Sequence, residues 1–343
     1  MAYNMFDTYS LMSALDMMPP LPSFLRDMFF SNRQFSDTEH VEIHVRREGK
    51  KIASFCSPLH EGVLVEEKTW SSKIFKPPYV KEKKITDAAN LLHRRFGEGI
   101  YGPRNMTPAA YAAEKLGEDL AELDRRLVRL EEVMISEVLR TGKVTVRGVG
   151  VDAQIDFGMS ADNIFVPGDF AAEWDDVTSD ILGDIQTLAQ VIQDKNGKVA
   201  TKMVVGITVE KWLKKNTALL ATLDNRRVER GELNPRSLPS GAKYLGDLDE
   251  IEVYSYGAQW EDNAGTMARI FPEKGVLLAA SDLELVLHYG AIQDLAFAGP
   301  VSTDRFPKSW QKEDPSAQFL MLQSAPLPAI HEPDGLVYAQ VIT

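Results

Sequence analysis

The sequence predicts an α+β protein, and three observations carry that reading. A helical pattern runs unbroken from Thr107 to Arg140. Short alternating strands flank it on both sides. A second region beyond residue 175 mixes helices with apolar strands. The long pattern is the frame for the rest. Pro108 suits a first helical position, where no amide donor is needed, and the Thr107 hydroxyl can cap it. Leu116, Leu120, Leu123, Leu127, Leu130 and Met134 recur at steps of four and three, which places them on one stripe. Glu118, Glu122, Arg126, Arg129 and Glu132 make the opposite face, with Glu122 four residues before Arg126, the favourable order for an ion pair. Thr141-Gly142 ends a rod roughly 50 Å long. Because strands follow at once, a single helix lying across a sheet is preferred to a coiled-coil strand.

Composition excludes several function classes. The 343 residues suffice for one large or two medium domains, and 44% apolar with 26% charged is ordinary for a folded protein. No apolar run approaches the ~20 residues that a membrane span needs. The first sixteen residues hold acids and no Lys or Arg, unlike a secretory signal. Cys56 is the single cysteine, so no internal disulfide and no CxxC motif exists, and the six histidines show no HExxH spacing. No metal or cofactor is expected. A net charge of −12 argues against a dedicated nucleic-acid binder. Residues 1–104 carry +2 and the remainder −14, a difference in sign that a self-packing protein can use.

Taken in order, residues 1–22 are Met-rich and end in a proline run that favours an extended path. Phe24-Leu25-Arg26-Asp27-Met28-Phe29-Phe30 is too apolar to stay in water. It reads either as a short buried helix or as an anchor on the body or on a neighbour. Val41, Ile43 and Val45 alternate with Glu42 and His44 as a strand. Ile52–Phe55 and Val63–Val65 read as further short strands, and Trp70 and Phe75 lie in a polar stretch. Residues 41–80 hold too few apolar groups for a core of their own, so this β-excursion needs outside support. A short helix is expected over Ala88–Phe96. Gly97-Glu98-Gly99-Ile100-Tyr101-Gly102 spells GxGxxG, but a helical stretch precedes it and Pro103 follows, which fits a loop rather than a dinucleotide fingerprint.

Beyond the rod, residues 143–157 suggest a hairpin turning near Gly148–Gly150. Helical spacing runs over Asp175–Gln193, with Asp175 and Asp176 at its positive end. A strand is expected over Val199–Ile207 and a helix over Val209–Asn216. Residues 225–248, rich in Arg, Gly and Pro, read as an exposed loop. Ile251–Tyr256, Gly275–Ala280 and Leu283–Tyr289 read as strands. Asp249-Glu250 and Asp282-Leu283-Glu284 are carboxylate pairs with no nucleophile, base or metal partner nearby in sequence, and are read as surface.

The last forty residues give direction. Arg305-Phe306-Pro307-Lys308-Ser309-Trp310 leads to Phe319-Leu320-Met321-Leu322-Gln323-Ser324-Ala325-Pro326-Leu327, with Asp334 and Val337–Val341 beyond. This resembles the C-terminal signature of the lambda-like tailed-phage major capsid protein family, the phage E head proteins, with Ser309 where that pattern has Asn. Phe24–Phe30, Tyr79-Val80-Lys81 with Lys83, and Asp224-Asn225-Arg226-Arg227 resemble further blocks in the same order. Glu82 stands in place of the family's Pro.

The resemblance implies the tailed-phage major capsid fold: an N-terminal arm (1–40), an extended β-loop (41–82), a peripheral domain (83–160) with the spine helix 107–140, an axial domain (161–298) and C-terminal strands (299–343) returning to the peripheral domain. It implies a structural protein without catalysis that self-assembles into hexamers and pentamers of an icosahedral DNA-filled head. Expected partners are copies of itself, a separate scaffolding protein, a portal and packaged DNA, contacted weakly. A decoration protein is neither required nor excluded, and the expected setting is the virion, with the host cytoplasm during assembly. Inter-subunit contacts are assigned to Phe24, Leu25, Phe29, Phe30, Arg46, Arg47, Trp70, Phe75, Arg226 and Arg227. Lys50, Lys51, Lys68 and Lys73 are read as ordinary loop lysines rather than covalent crosslinkers. An encapsulin-like compartment of the same fold is the nearest alternative, and a nucleotide-dependent enzyme built on Gly97–Gly102 the more distant one.

Overall fold

The rod forms where the spacing places it, as one helix over Pro108–Thr141. Gly142 ends it with φ +65, and its amide donates to the Val138 carbonyl at 2.8 Å. A Cβ at this position would lie 2.3 Å from Cβ of Met159, so glycine is required by both backbone and space. The computed structural model describes residues 7–19, 21–46, 53, 70–87, 108–148, 150–223, 231–262, 265–294, 301–314 and 317–343, without the side chains of 70–71, 87, 108–112, 223 and 231–232. The strands expected at 52–55 and 63–65, the helix at 88–96 and the GxGxxG stretch lie outside the described residues, apart from residue 53.

The helix changes character along its length. Leu116, Leu120, Leu123 and Leu127 face a three-stranded sheet and form a small core with Leu320, Leu322 and Leu11 of the first helix, Thr8–Met17. From residue 131 onward nearly every side is covered: Glu131, Glu132, Met134, Ile135, Ser136, Val138 and Leu139 are all buried. Two readings of the stripe are corrected here. Leu130 is exposed, and Glu132, placed on the solvent face by spacing, is buried. An α-helix drifts by ~20° per heptad against a 3.5 repeat. The short arm helix Phe24–Phe29 also docks on that side.

The sheet under the first half of the rod runs Phe306–Lys312, Ala317–Ser324, Val80–Asp87, all antiparallel. Val80–Asp87 crosses the boundary expected at residue 82, so the β-excursion proper ends with its hairpin, Val41–Arg46 against Trp70–Phe75. A second three-stranded sheet joins arm strand Asn32–Phe35, in parallel, to Leu285–Tyr289 and then Pro326–Ile330.

The other large unit is a seven-stranded mixed sheet, ordered Ile164–Phe165, Leu336–Gln340, Gly275–Ala280, Ala200–Val205, Ile251–Tyr256, Ala242–Leu248, Gly231–Ser237. One face, including Val204 and Leu277, joins the core around the second half of the rod. The opposite face, including Met203, Val205 and Leu278, is covered by the helix Ile181–Asn196. Four expectations change. The last strand, Leu336–Gln340, enters this mixed sheet beside Gly275–Ala280 and not the three-stranded sheet beside the rod. The stretch 225–248 contains two strands where a loop was expected. The helix expected from Asp175 begins at Ile181, because Asp180 caps it by accepting from the Gly183 amide at 3.0 Å. The helix expected over 209–216 runs Ile207–Leu213.

Candidate functional site

The densest polar constellation sits on the second half of the rod. Glu131 is fully buried and receives Arg305 in a two-pronged contact, NH1 to Oε1 at 2.8 Å and NH2 to Oε2 at 3.2 Å. Arg26 donates to the same carboxylate at 3.1 Å, and the Tyr289 hydroxyl at 3.0 Å. Arg305 also reaches Asp124 at 2.7 Å. Burial alone pushes the Glu131 carboxyl up. The Arg305 guanidinium, then Arg26, outweigh it and hold it below the usual carboxylate range. Four segments far apart in sequence meet at this group: arm, rod, strand Leu285–Tyr289 and the start of the C-terminal signature.

Glu132, one residue on, does a different job. Its two oxygens accept the amides of Leu25 at 3.3 Å and Arg26 at 3.2 Å. These are first-turn amides of the arm helix, which has no intrahelical partners for them, so the rod caps the arm. Burial here dominates and pushes the carboxyl up to about 7.

A third constellation fixes the hairpin to the body. The Arg46 amide donates to the His331 carbonyl at 2.8 Å, and His331 Nδ1 lies 2.7 Å from the His44 carbonyl. Arg46 pairs with Glu284 at 3.2 Å, and Phe75 packs on Phe157 at 5.4 Å. Val41 and Ile43 enter the main core, which supplies the apolar support that the hairpin lacks. His288 and His331 lie 6.0 Å apart, each with an unpartnered Nε2. Burial, then the neighbouring imidazole, lowers His288 to about 4.

The residues assigned to neighbours are distributed as follows. Phe24, Leu25 and Phe30 are buried in their own chain, Phe24 between Tyr254 and Tyr256 at 5.7 and 5.0 Å. For these three the assignment is corrected: their own subunit covers them. Phe29 and Phe75 are half-buried against the same core, and Arg46 is exposed. Arg47, Arg226, Arg227 and the Trp70 side chain lie outside the described residues. The carboxylate pairs are turn residues: Asp249 and Glu250 have φ 51 and 66 and join paired strands, and Asp282 has φ 51. Spacing missed Glu131 and Arg305, although an adjacent Glu pair near an apolar stripe is a signal for buried pairing.

These geometries hold segments together. The Glu131 carboxylate accepts four hydrogen bonds from three residues. Among the described residues no group of three or more His, Cys, Asp or Glu is placed to hold a metal ion, and no helix is long and apolar enough to cross a membrane.

Comparison with known proteins gives a consistent picture. The family profile described as phage major capsid protein E matches residues 7–341. The chain is 27% identical to the major capsid protein of Enterobacteria phage P21, covering 98% of this chain and 99% of that protein. It is 26% identical to the major capsid protein of Escherichia phage lambda, covering 93% and 94%. In fold it is similar to a prophage capsid-protein candidate from Escherichia coli CFT073, at a TM-score of 0.75 and 17% identity over 98% of this chain and 99% of the other. It is also similar to the capsid of Ralstonia phage GP4, at 0.53 and 11% over 95% and 93%.

Proposed function

This chain belongs to the phage major capsid protein E family, a family of structural and not enzymatic proteins, and we propose that it is the repeating subunit of an icosahedral head enclosing double-stranded DNA. The observation that carries this is the family match over residues 7–341, on a fold whose strongest polar contacts serve to fasten arm, hairpin and C-terminal strands to one rod. Subunits group as hexamers and pentamers, so each modest contact is repeated many times over the closed shell.

The finer reading has the shell form with a scaffolding protein in the host cytoplasm, around a portal, and then expand as DNA enters by rigid-body and hinge movement. The regions 1–40, 41–82, 83–160, 161–298 and 299–343 serve as arm, extended loop, peripheral domain, axial domain and C-terminal strands, with the loop's hairpin ending at Phe75. Exposed Arg46, at the loop-side end of the hairpin, is retained as an inter-subunit contact, together with Arg47, Trp70, Arg226 and Arg227. The excess negative charge keeps contact with packaged DNA weak. Electron microscopy of the purified protein, expressed with and without the neighbouring scaffolding gene, tests the proposal. Closed shells, tubes or capsomer rings are expected. A uniform monomer or dimer under both conditions would sink it.

A further inference from the structure

The sheet beside the rod has two unlike faces. Leu320 and Leu322 point to the rod, where Lys84 also reaches Asp119 at 2.9 Å and Arg126 reaches Glu82 at 3.2 Å. The opposite face is set by register: Trp310 pairs with Phe319, and Phe319 with Ile85. Trp310 and Phe319 stack at 5.3 Å and 2° between planes, with Trp310 37% and Ile85 49% exposed. In the next row Lys83 faces half-buried Met321, and its Nζ stands 5.9 Å over the Phe319 ring. Lys81 follows on the same face. Among the described residues neither lysine has a carboxylate partner, whereas Lys308 in the same row is neutralised by Asp294 at 2.7 Å.

We infer that this row, Trp310, Phe319 and Ile85 edged by Met321, Lys81 and Lys83, is a contact surface for a second copy of this chain. The inference rests on the shell-subunit reading and adds to it the surface through which copies meet. An apolar centre with aromatic rings and a charged rim is the anatomy of a protein interface. Two cations make too small a footprint for phosphate binding, and the apolar row gains nothing from it. Charge supplies the complement: two positive groups without a carboxylate partner among the described residues sit on a chain of net −12, so a neighbouring copy offers a surface that is negative on average.

The test uses full-length protein in two forms, free subunits and nuclease-treated empty shells. Acetylation of Lys81 and Lys83, read by peptide mass, should be slower in shells by about tenfold, the scale of one hot-spot contact. Lys83→Glu, a change at an exposed side chain, should leave the subunit's thermal melt unaltered, and Trp310→Ser should lower it slightly by removing the stack on Phe319; assembled well below both melts, each should lower shell yield by a similar about tenfold factor. Equal labelling in subunits and shells overturns the inference, as does wild-type yield in both variants. Protection seen only in DNA-filled heads assigns the face to nucleic acid and overturns it too. These failures leave the shell reading standing. Wild-type protein that forms no shells with its scaffolding partner removes that reading, and this one with it.

Discussion

Glu131 and Glu132 are adjacent in sequence and opposite in electrostatic fate. Glu131 meets two guanidiniums and is held ionised; Glu132 meets backbone amides and the Tyr256 hydroxyl in a dry environment, and is pushed toward neutrality. Removing one partner of a buried ion pair leaves the other unpaired, so Glu131→Gln should cost ~3–5 kcal/mol in urea unfolding. A loss within ~0.5 kcal/mol would mean the clamp is not structural. Because the Glu131 pKa is lowered, its contribution is present above the unfolded carboxylate value and is lost as pH falls through the folded one. Glu132 has the reverse sign. Its pKa is raised to about 7, so its contribution is present at low pH and fades as pH rises through neutrality. The stability difference between wild type and Glu132→Gln should therefore move in the variant's favour from pH 5 to 8, as read by thermal melts in matched buffers. A constant difference across that range would show that the carboxyl does not titrate there. His288, lowered from 6.5 to about 4, contributes fully above 6.5 and loses its contribution as pH falls toward 4. His288→Gln should flatten the stability profile in that window, and an unchanged slope would assign acid sensitivity elsewhere.

At the scale of elements, the rod was legible from its leucines because its first half obeys one local rule. Leu123 and Leu127 are 1% exposed, and Leu123→Ala should cost ~2–5 kcal/mol, whereas Leu130→Ala should stay within ~0.5 kcal/mol. Equal effects in denaturant titrations would contradict the orientation of the helix. The burial of Glu132 was not legible, since it is decided by an arm more than a hundred positions away in sequence. The strand Gly231–Ser237 was hidden for a local reason: Pro235 reads as a breaker. It is tolerated because the strand lies on the sheet edge, next to a register shift between Tyr244 and Gly246. The C-terminal signature resembled a family before its physical use was visible. In the fold, Arg305 clamps Glu131, Gln323 accepts from Tyr79 at 2.6 Å, and Leu327 enters the main core. The Asp249-Glu250 pair shows the converse, where residues suggestive of chemistry occupy a two-residue turn between Leu248 and Ile251.

At the scale of the molecule, stability is unevenly distributed along the rod. Its second half lies in the large core shared with one face of the seven-stranded sheet, whose other face has a second large core of its own. Its first half rests on a small leucine cluster closed by Leu11 of the arm. Opening free energy follows the apolar area that must be exposed, so the small cluster should open first, without unfolding the sheet. Native-state hydrogen exchange of the free subunit should therefore show lower protection for amides of 116–127 and 317–324 than for Ala200–Val205. If all three exchange with one common free energy, the chain unfolds as a single unit and the rod transmits no local opening. If the order holds, the same amides should gain the most protection in shells. Contacts between copies would then stabilise the part of the subunit that its own core holds least firmly, and assembly would complete its folding. A gain confined to the seven-stranded sheet would place the stabilising contacts there instead, away from the leucine cluster.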